Sequence, residues 1–227
     1  MSHDTYPSTA DRATALHMHS SGLPQSREAA HLKAEPACAS HPLTRLRDAL
    51  DAAFEQSADA ADPSQCATFA LGVRAALAEA AADPALLAPA QHGGAADAYR
   101  RHLLAADPHG RYAIAALVWM PGQASPVHAH QTWCGYVVLK GALAESLYDW
   151  DDAQQCARET RTHPRASGAV SFVRAGRGAI HRLGNASGSP AISLHIYGVA
   201  GARIGTHVND LLQVADMLDR IAEQAIG

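Results

Sequence analysis

Gly122 to Gly141 reads GQASPVHAHQTWCGYVVLKG, and these twenty residues decide the fold. His128 and His130 flank Ala129. On a β-strand that spacing sends both imidazoles out of one face, side by side. Tyr136 to Leu139 is an aromatic and aliphatic run, and Lys140-Gly141 closes it as a turn. The stretch therefore predicts two short strands, over 126–131 and 133–139. Two imidazoles on one strand face suit chelation of a single metal ion, whereas paired polar side chains in a sheet would give the same alternation.

The texture continues in both directions. Segments rich in Val, Ile, Tyr and Trp predict further strands near 98–104, 111–119, 143–150, 168–174, 179–183 and 190–198. Pro121-Gly122, Gly176-Arg177-Gly178 and the run Asn185 to Pro190 mark turns between them. About eight short strands at close spacing argue for a sandwich or barrel of the jelly-roll class. Upstream, Leu43, Leu46, Leu50 and Phe54 recur at helical spacing. Asp62-Pro63 reads as an N-cap and first-turn proline before a second stripe, Phe69, Val73, Ala76, Leu77 and Ala80. Downstream, Leu211, Val214, Ala215, Leu218, Ile221 and Ala222 predict an amphipathic C-terminal helix. The organisation expected is a flexible tail over 1–40, a helical cover over 41–92, a barrel with a metal site over 93–205, and a helix over 206–227. His17 and His19 also form an HxH, but in a tail without a periodic apolar pattern they read as solvated.

Composition sets outer bounds. The chain has 227 residues, 48% hydrophobic and 18% charged, which is globular rather than disordered. Its net charge of −4 leaves no basic excess to displace counterions from a nucleic acid. No apolar run is long enough to cross a membrane, and MSHDTYPSTADR lacks the apolar core of a secretory signal. Cys38, Cys66, Cys134 and Cys156 form no CxxC pair, which predicts free thiols in a reducing, cytoplasmic setting. The sequence leaves the oligomeric state open.

A third histidine, His181, follows a glycine-rich turn in GRGAIHRLGN. Gly122, five residues, His128-Ala129-His130, three residues, Cys134, six residues and Gly141 resemble the first cupin motif, with Cys134 where that motif carries a glutamate ligand. Gly178, two residues, His181, three residues and Asn185 resemble the tail of the second. A mainly β cupin jelly-roll barrel with N-terminal helices and a C-terminal helix is the fold this implies. Without the carboxylate, the ligand set becomes His128, His130 and His181. Such a set resembles the cysteine dioxygenase (thiol dioxygenase) family, bacterial type. Ser193-Leu-His195-Ile-Tyr197 matches the family's Ser-x-His-x-Tyr strand, and Tyr99-Arg100-Arg101 its Tyr-x-Arg strand.

The resemblance covers roughly Ala98 to Gly198 and implies specific roles. Ferrous iron, Fe(2+), would be held by the three histidines, with L-cysteine and O2 as reactants and cysteine sulfinate as product. Arg101, beside Tyr99, would grip the substrate carboxylate through its planar fork. Strand alternation lets only one of Arg100 and Arg101 point inward, and Arg101 is the choice. Tyr197 would present its hydroxyl at the metal, oriented by His195 and, behind it, Ser193. A thioether between Cys134 and Tyr197 is the animal members' feature, although Cys134 lies one residue closer to the first histidine than in that pattern. Trp133 and the PGQ-x-x-PVHxH texture resemble the 3-mercaptopropionate enzymes instead. Another small thiol acid, such as 3-mercaptopropionate or mercaptosuccinate, therefore stays open. So does a non-catalytic metal-binding cupin, which would have no need of Ser193, His195 and Tyr197 beside an inward Arg101. His92, His102, His109, His163 and His207 read as loop or surface residues.

Overall fold

The computed structural model describes residues 40–215. Two helices, α1 (Pro42–Glu55) and α2 (Ala67–Ala81), precede ten strands: β1 (Arg100–Ala106), β2 (Ala113–Trp119), β3 (His128–His130), β4 (Cys134–Lys140), β5 (Ala142–Asp151), β6 (Cys156–Ala166), β7 (Val170–Val173), β8 (Gly176–Gly184), β9 (Ala191–Tyr197) and β10 (Asn209–Leu211). They form two antiparallel five-stranded sheets, ordered β1-β2-β9-β4-β7 and β10-β3-β8-β5-β6. This is a mainly β, double-sheeted jelly-roll barrel.

The first sheet is covered on both faces. Along β2, Ile114, Ala116 and Val118 pack with Leu50, Phe69 and Leu77 of the helices. The alternate residues Ala115, Leu117 and Trp119 turn into the barrel beside Tyr136 and Val138. Period-two alternation thus serves two cores, and all seven residues of β2 and of β9 are buried. At Gly135 an added Cβ would meet Leu77 and Val73 of α2 at 3.0 Å, so the helix packs directly on the β4 backbone. Gly141 holds φ at +75° in the turn between β4 and β5, a conformation glycine adopts without strain.

The second helix starts later than its sequence cap. Asp62 accepts from the Ser64 amide, but the proline turn it caps is a short 3-10 segment, Pro63–Gln65, and α2 begins at Ala67. Strand β6 is absent from the sequence expectation. It is an edge strand, polar and largely exposed, and it carries Pro164, which an edge tolerates. The expected C-terminal helix over 206–227 does not begin at 206: Ala215 is helical, whereas Leu218, Ile221 and Ala222 lie outside the described residues. Leu211 lies in β10, and Val214 forms an isolated bridge to Ala157. The ladder with β3 captures this segment, pairing Asn209 with His130 and Leu211 with His128. Residues 216–227, like the tail over 1–39 with Cys38, His17 and His19, lie outside the described residues. Among the described residues no helix is long and apolar enough to cross a membrane.

Candidate metal centre

Strand register builds the site. On β3 and β8, His128 stands directly opposite His181, and an irregularity in that ladder separates His128 from His130. Each histidine is at most 5% exposed. One ring nitrogen from each lies within 4.8 Å of the others. Two of the rings have their second nitrogen fixed. His128 Nδ1 lies 2.9 Å from the Pro126 carbonyl, and His181 Nδ1 lies 2.8 Å from Glu145 Oε1. Both acceptors demand an N–H, so Nε2 of each ring keeps a free lone pair. His130 Nδ1 is buried without a hydrogen-bond partner. Burial, then the neighbouring His181, lowers His128 to about 4. The same causes lower His130 to about 2. Neutral, converging, buried imidazoles are the donor set that a borderline transition metal takes. The residues fit a metal ion.

Opposite this wall, β9 supplies a polar relay. Trp119 Nε1–H donates to Ser193 Oγ at 2.9 Å, and Ser193 Oγ lies 2.8 Å from His195 Nε2. The indole is a donor only, so Ser193 Oγ accepts from it and keeps its O–H and a second lone pair for His195 Nε2. His195 Nδ1 is buried without a hydrogen-bond partner. Burial, then Arg101 and His181, holds His195 well below the usual histidine range. His195 meets Tyr197 through ring stacking, with centroids 5.6 Å apart at 20°. Burial, then the Cys134 thiol, pushes the Tyr197 phenol upward.

Arg101 is half-buried while Arg100 is exposed. Arg101 Nη1 donates to the Ile204 carbonyl at 3.0 Å, its Nε is buried without a partner, and its guanidinium carbon lies 5.8 Å from the Tyr197 ring centre. Tyr99 packs on Trp119 with ring centres 4.4 Å apart. Tyr99, Arg101, His195 and Tyr197 line one cavity with the three histidines. It offers about 20 Å³ to the centres of water-sized molecules. Cys134 is Tyr197's direct partner across β4 and β9, so both leave the same face of the sheet. Cys134 is absent from the cavity lining and packs with Tyr197, Val199 and Val208.

Two residues named from the sequence find their places here. Trp133 turns away from the cavity into the helical layer, with its ring centre 5.1 Å from that of Phe69, and is a core residue. His163, read as a surface residue, sits on β6 with Nε2 3.2 Å from Glu145 Oε2. Glu145 itself escapes the sequence reading, although a signal exists. In ALAESLYDW it shares the inward alternation of Leu143, an acid on an apolar face. Trp119 reads from the sequence only as part of a strand.

Residues 94–202 match the family model of cysteine dioxygenase type I. Over these residues the barrel is similar to that family. Cysteine dioxygenase type 1 of Danio rerio is 30% identical over 106 residues, 44% of this chain and 50% of its own length. The Rattus norvegicus enzyme of the same name is 31% identical over 93 residues, 39% of this chain and 46% of its own. The matched region thus spans about half the length of these curated relatives. Among solved structures, a Thermus thermophilus protein, TT1209, aligns at TM-score 0.38 and 22% identity, covering 47% of this chain and 89% of its own. A double-stranded beta-helix protein from Klebsiella pneumoniae aligns at TM-score 0.38 and 14% identity, covering 53% and 94%. The family match contains all three histidines, the Ser193–Tyr197 strand and Arg101.

Proposed function

We propose that this protein is an iron-dependent thiol dioxygenase that oxidises L-cysteine with O2 to cysteine sulfinate. The observation that carries the reading is one buried cavity, in a barrel similar to this family, that joins three convergent histidines to Arg101, His195 and Tyr197. When bound, ferrous iron supplies coordination positions for a soft thiolate and for O2 together. His128, His130 and His181 would hold it. Arg101 takes the substrate carboxylate, which fixes the sulfur end against the histidine wall and makes the encounter effectively intramolecular. The Tyr197 hydroxyl, kept protonated by burial, serves as hydrogen-bond donor to the reacting end. The stack of His195 on Tyr197 and the Trp119–Ser193 relay behind it hold that ring in place. Both oxygen atoms of O2 finish on sulfur.

Metal analysis of the purified protein, followed by oxygen uptake with cysteine, 3-mercaptopropionate, mercaptosuccinate and cysteamine, tests this. Iron in stoichiometric amount and fastest turnover of cysteine is the expected result. Fastest turnover of another thiol acid would move the substrate and keep the chemistry. A metal-loaded protein that consumes no O2 with any thiol would make it a binding cupin. A Cys134–Tyr197 thioether belongs to the same proposal, supported by their direct cross-strand pairing. Peptide mass spectrometry after turnover should find the two peptides joined with loss of two hydrogens; separate peptides would exclude the bond. The free thiols of Cys66, Cys134 and Cys156 support a reducing, cytoplasmic setting, and the proposed partners are small molecules alone.

A further inference from the structure

Glu145 lies behind His181, on the side away from the metal cavity. Its side chain is 7% exposed and touches three cationic or N–H-bearing side chains. His181 Nδ1 is closest, at 2.8 Å from Oε1. On the other oxygen, His163 Nε2 stands at 3.2 Å and Arg165 Nε at 3.4 Å. His163 is the direct cross-strand partner of Glu145 in the hairpin of β5 and β6. Arg165 lies over the Tyr136 ring, its guanidinium carbon 5.3 Å from the centre. Glu145, His163 and Arg165 line a separate cavity of about 600 Å³, and His181 is the one residue common to it and the metal cavity.

The three histidines are thus unequal. The second nitrogen of His128 meets a neutral carbonyl, that of His130 meets nothing, and that of His181 meets a carboxylate. A carboxylate can only accept, so it fixes the His181 tautomer with the proton on Nδ1 and leaves Nε2 toward the site. A charge-assisted contact of this kind is roughly twice as strong as a neutral one, and it raises the basicity of the ligating nitrogen. The hairpin supplies the counter-charge: Arg165 on β6 stands within ion-pair distance of Oε2, though its Nε makes no hydrogen bond there, and Oε1 is left to His181.

The geometry points to Glu145 as the positioning residue of the metal centre, held by His163 and Arg165, which makes His181 the strongest donor of the three. This rests on the three-histidine metal site proposed above. Glu145 does not line the metal cavity and acts through His181 alone.

The test uses the full chain, Co(II) as probe, and two readouts. Co(II) affinity is measured by chelator competition together with the visible spectrum of the bound ion. The His181 tautomer in the metal-free protein is read from its imidazole nitrogen NMR shifts. Glu145→Ala should weaken Co(II) binding roughly 10- to 100-fold, the cost usual for losing such a partner, and should move His181 to a mixture of tautomers. Glu145→Gln keeps an acceptor oxygen without the charge. It should retain the tautomer and bind Co(II) between wild type and the alanine variant, and it decides the matter if Glu145→Ala does not fold. Glu159→Gln, at a carboxylate bonded to Thr162 and Tyr148 on the outer hairpin, should change neither readout. Wild-type affinity in both Glu145 variants overturns the proposal. So does weakened binding with the His181 tautomer unchanged in Glu145→Ala, because a merely structural salt bridge would act that way. Failure of the wild-type protein to take up Co(II) would instead sink the metal-centre reading, and the NMR arm would still report whether Glu145 sets His181.

Discussion

Strands β8 and β9 face each other across the site and live in opposite surroundings. Every residue of β9 is buried, because its outer face, Ile192, Leu194 and Ile196, lies under the helices. On β8 the burial is broken by exposed positions, because among the described residues the second sheet carries no helical layer. A polar residue on β9 therefore stands out against an apolar strand, and Ser193, His195 and Tyr197 declare themselves. On the second sheet polar residues are ordinary, and those that matter are hidden among those that do not. The lesson is that exposure of a sheet's outer face sets how readable its inner face is. It also divides the molecule: the covered sheet carries the helical core, the open one the three histidines.

The largest effect should come from the open sheet. Replacing His128, His130 or His181 with Ala should abolish metal loading and activity while leaving the barrel folded, as metal analysis and circular dichroism would show. Full metal occupancy in His181→Ala would break the division at its base. The counterpart on the covered sheet is Phe69→Ala. It removes a fully buried ring that joins α2 to Trp133 and Phe172, at a cost of about 3–5 kcal/mol. Denaturant unfolding should show that loss, with metal content unchanged well below the transition. A proportionate fall in metal content would mean that the two walls are not independent.

Smaller effects sharpen the contrast. Arg101→Ala should raise KM for cysteine far more than for cysteamine, which lacks the carboxylate. A charge-assisted contact is worth roughly 1.5–3 kcal/mol, hence about 10- to 150-fold. Equal losses for both thiols would make Arg101 a structural residue tied to Ile204. The smallest effect concerns the covered sheet's link to α1. Arg111 bonds both Asp107 and Asp51, and its guanidinium, followed by the Arg111 amide, holds Asp107 down at about 2 despite burial. A carboxyl depressed in the folded state stabilises above its unfolded pKa and ceases to do so as pH falls through the folded value. The advantage of wild type over Asp107→Asn, about 2 kcal/mol by linkage, should be full above about pH 5 and shrink between about pH 4 and pH 2. A difference independent of pH would assign Asp107 a neutral capping role instead.

How much is legible follows from the same contrast. The helical stripe of α1 is readable because Leu46 and Leu50 repeat at helical spacing among Arg and Asp, and that of α2 because Phe69, Val73 and Leu77 stand out by size in an Ala-rich run. Strand β6 is not, because CARETRTHPRA faces solvent along most of its length and carries no apolar alternation. Residues 209–211 mislead because Leu211 is exposed on a short strand that exists only through its pairing with β3.

The sequence by itself determined the chemistry-bearing residue types and their spacing along each strand. His128 and His130 share a face because a strand has period two, and so do Ser193, His195 and Tyr197. Which strands stand opposite one another was decided only by the tertiary structure. Registers between distant segments depend on the whole sheet closing, and local spacing holds no record of that. Thus His181 meets His128, Cys134 meets Tyr197, and Glu145 receives His181 on one oxygen and the β6 pair on the other.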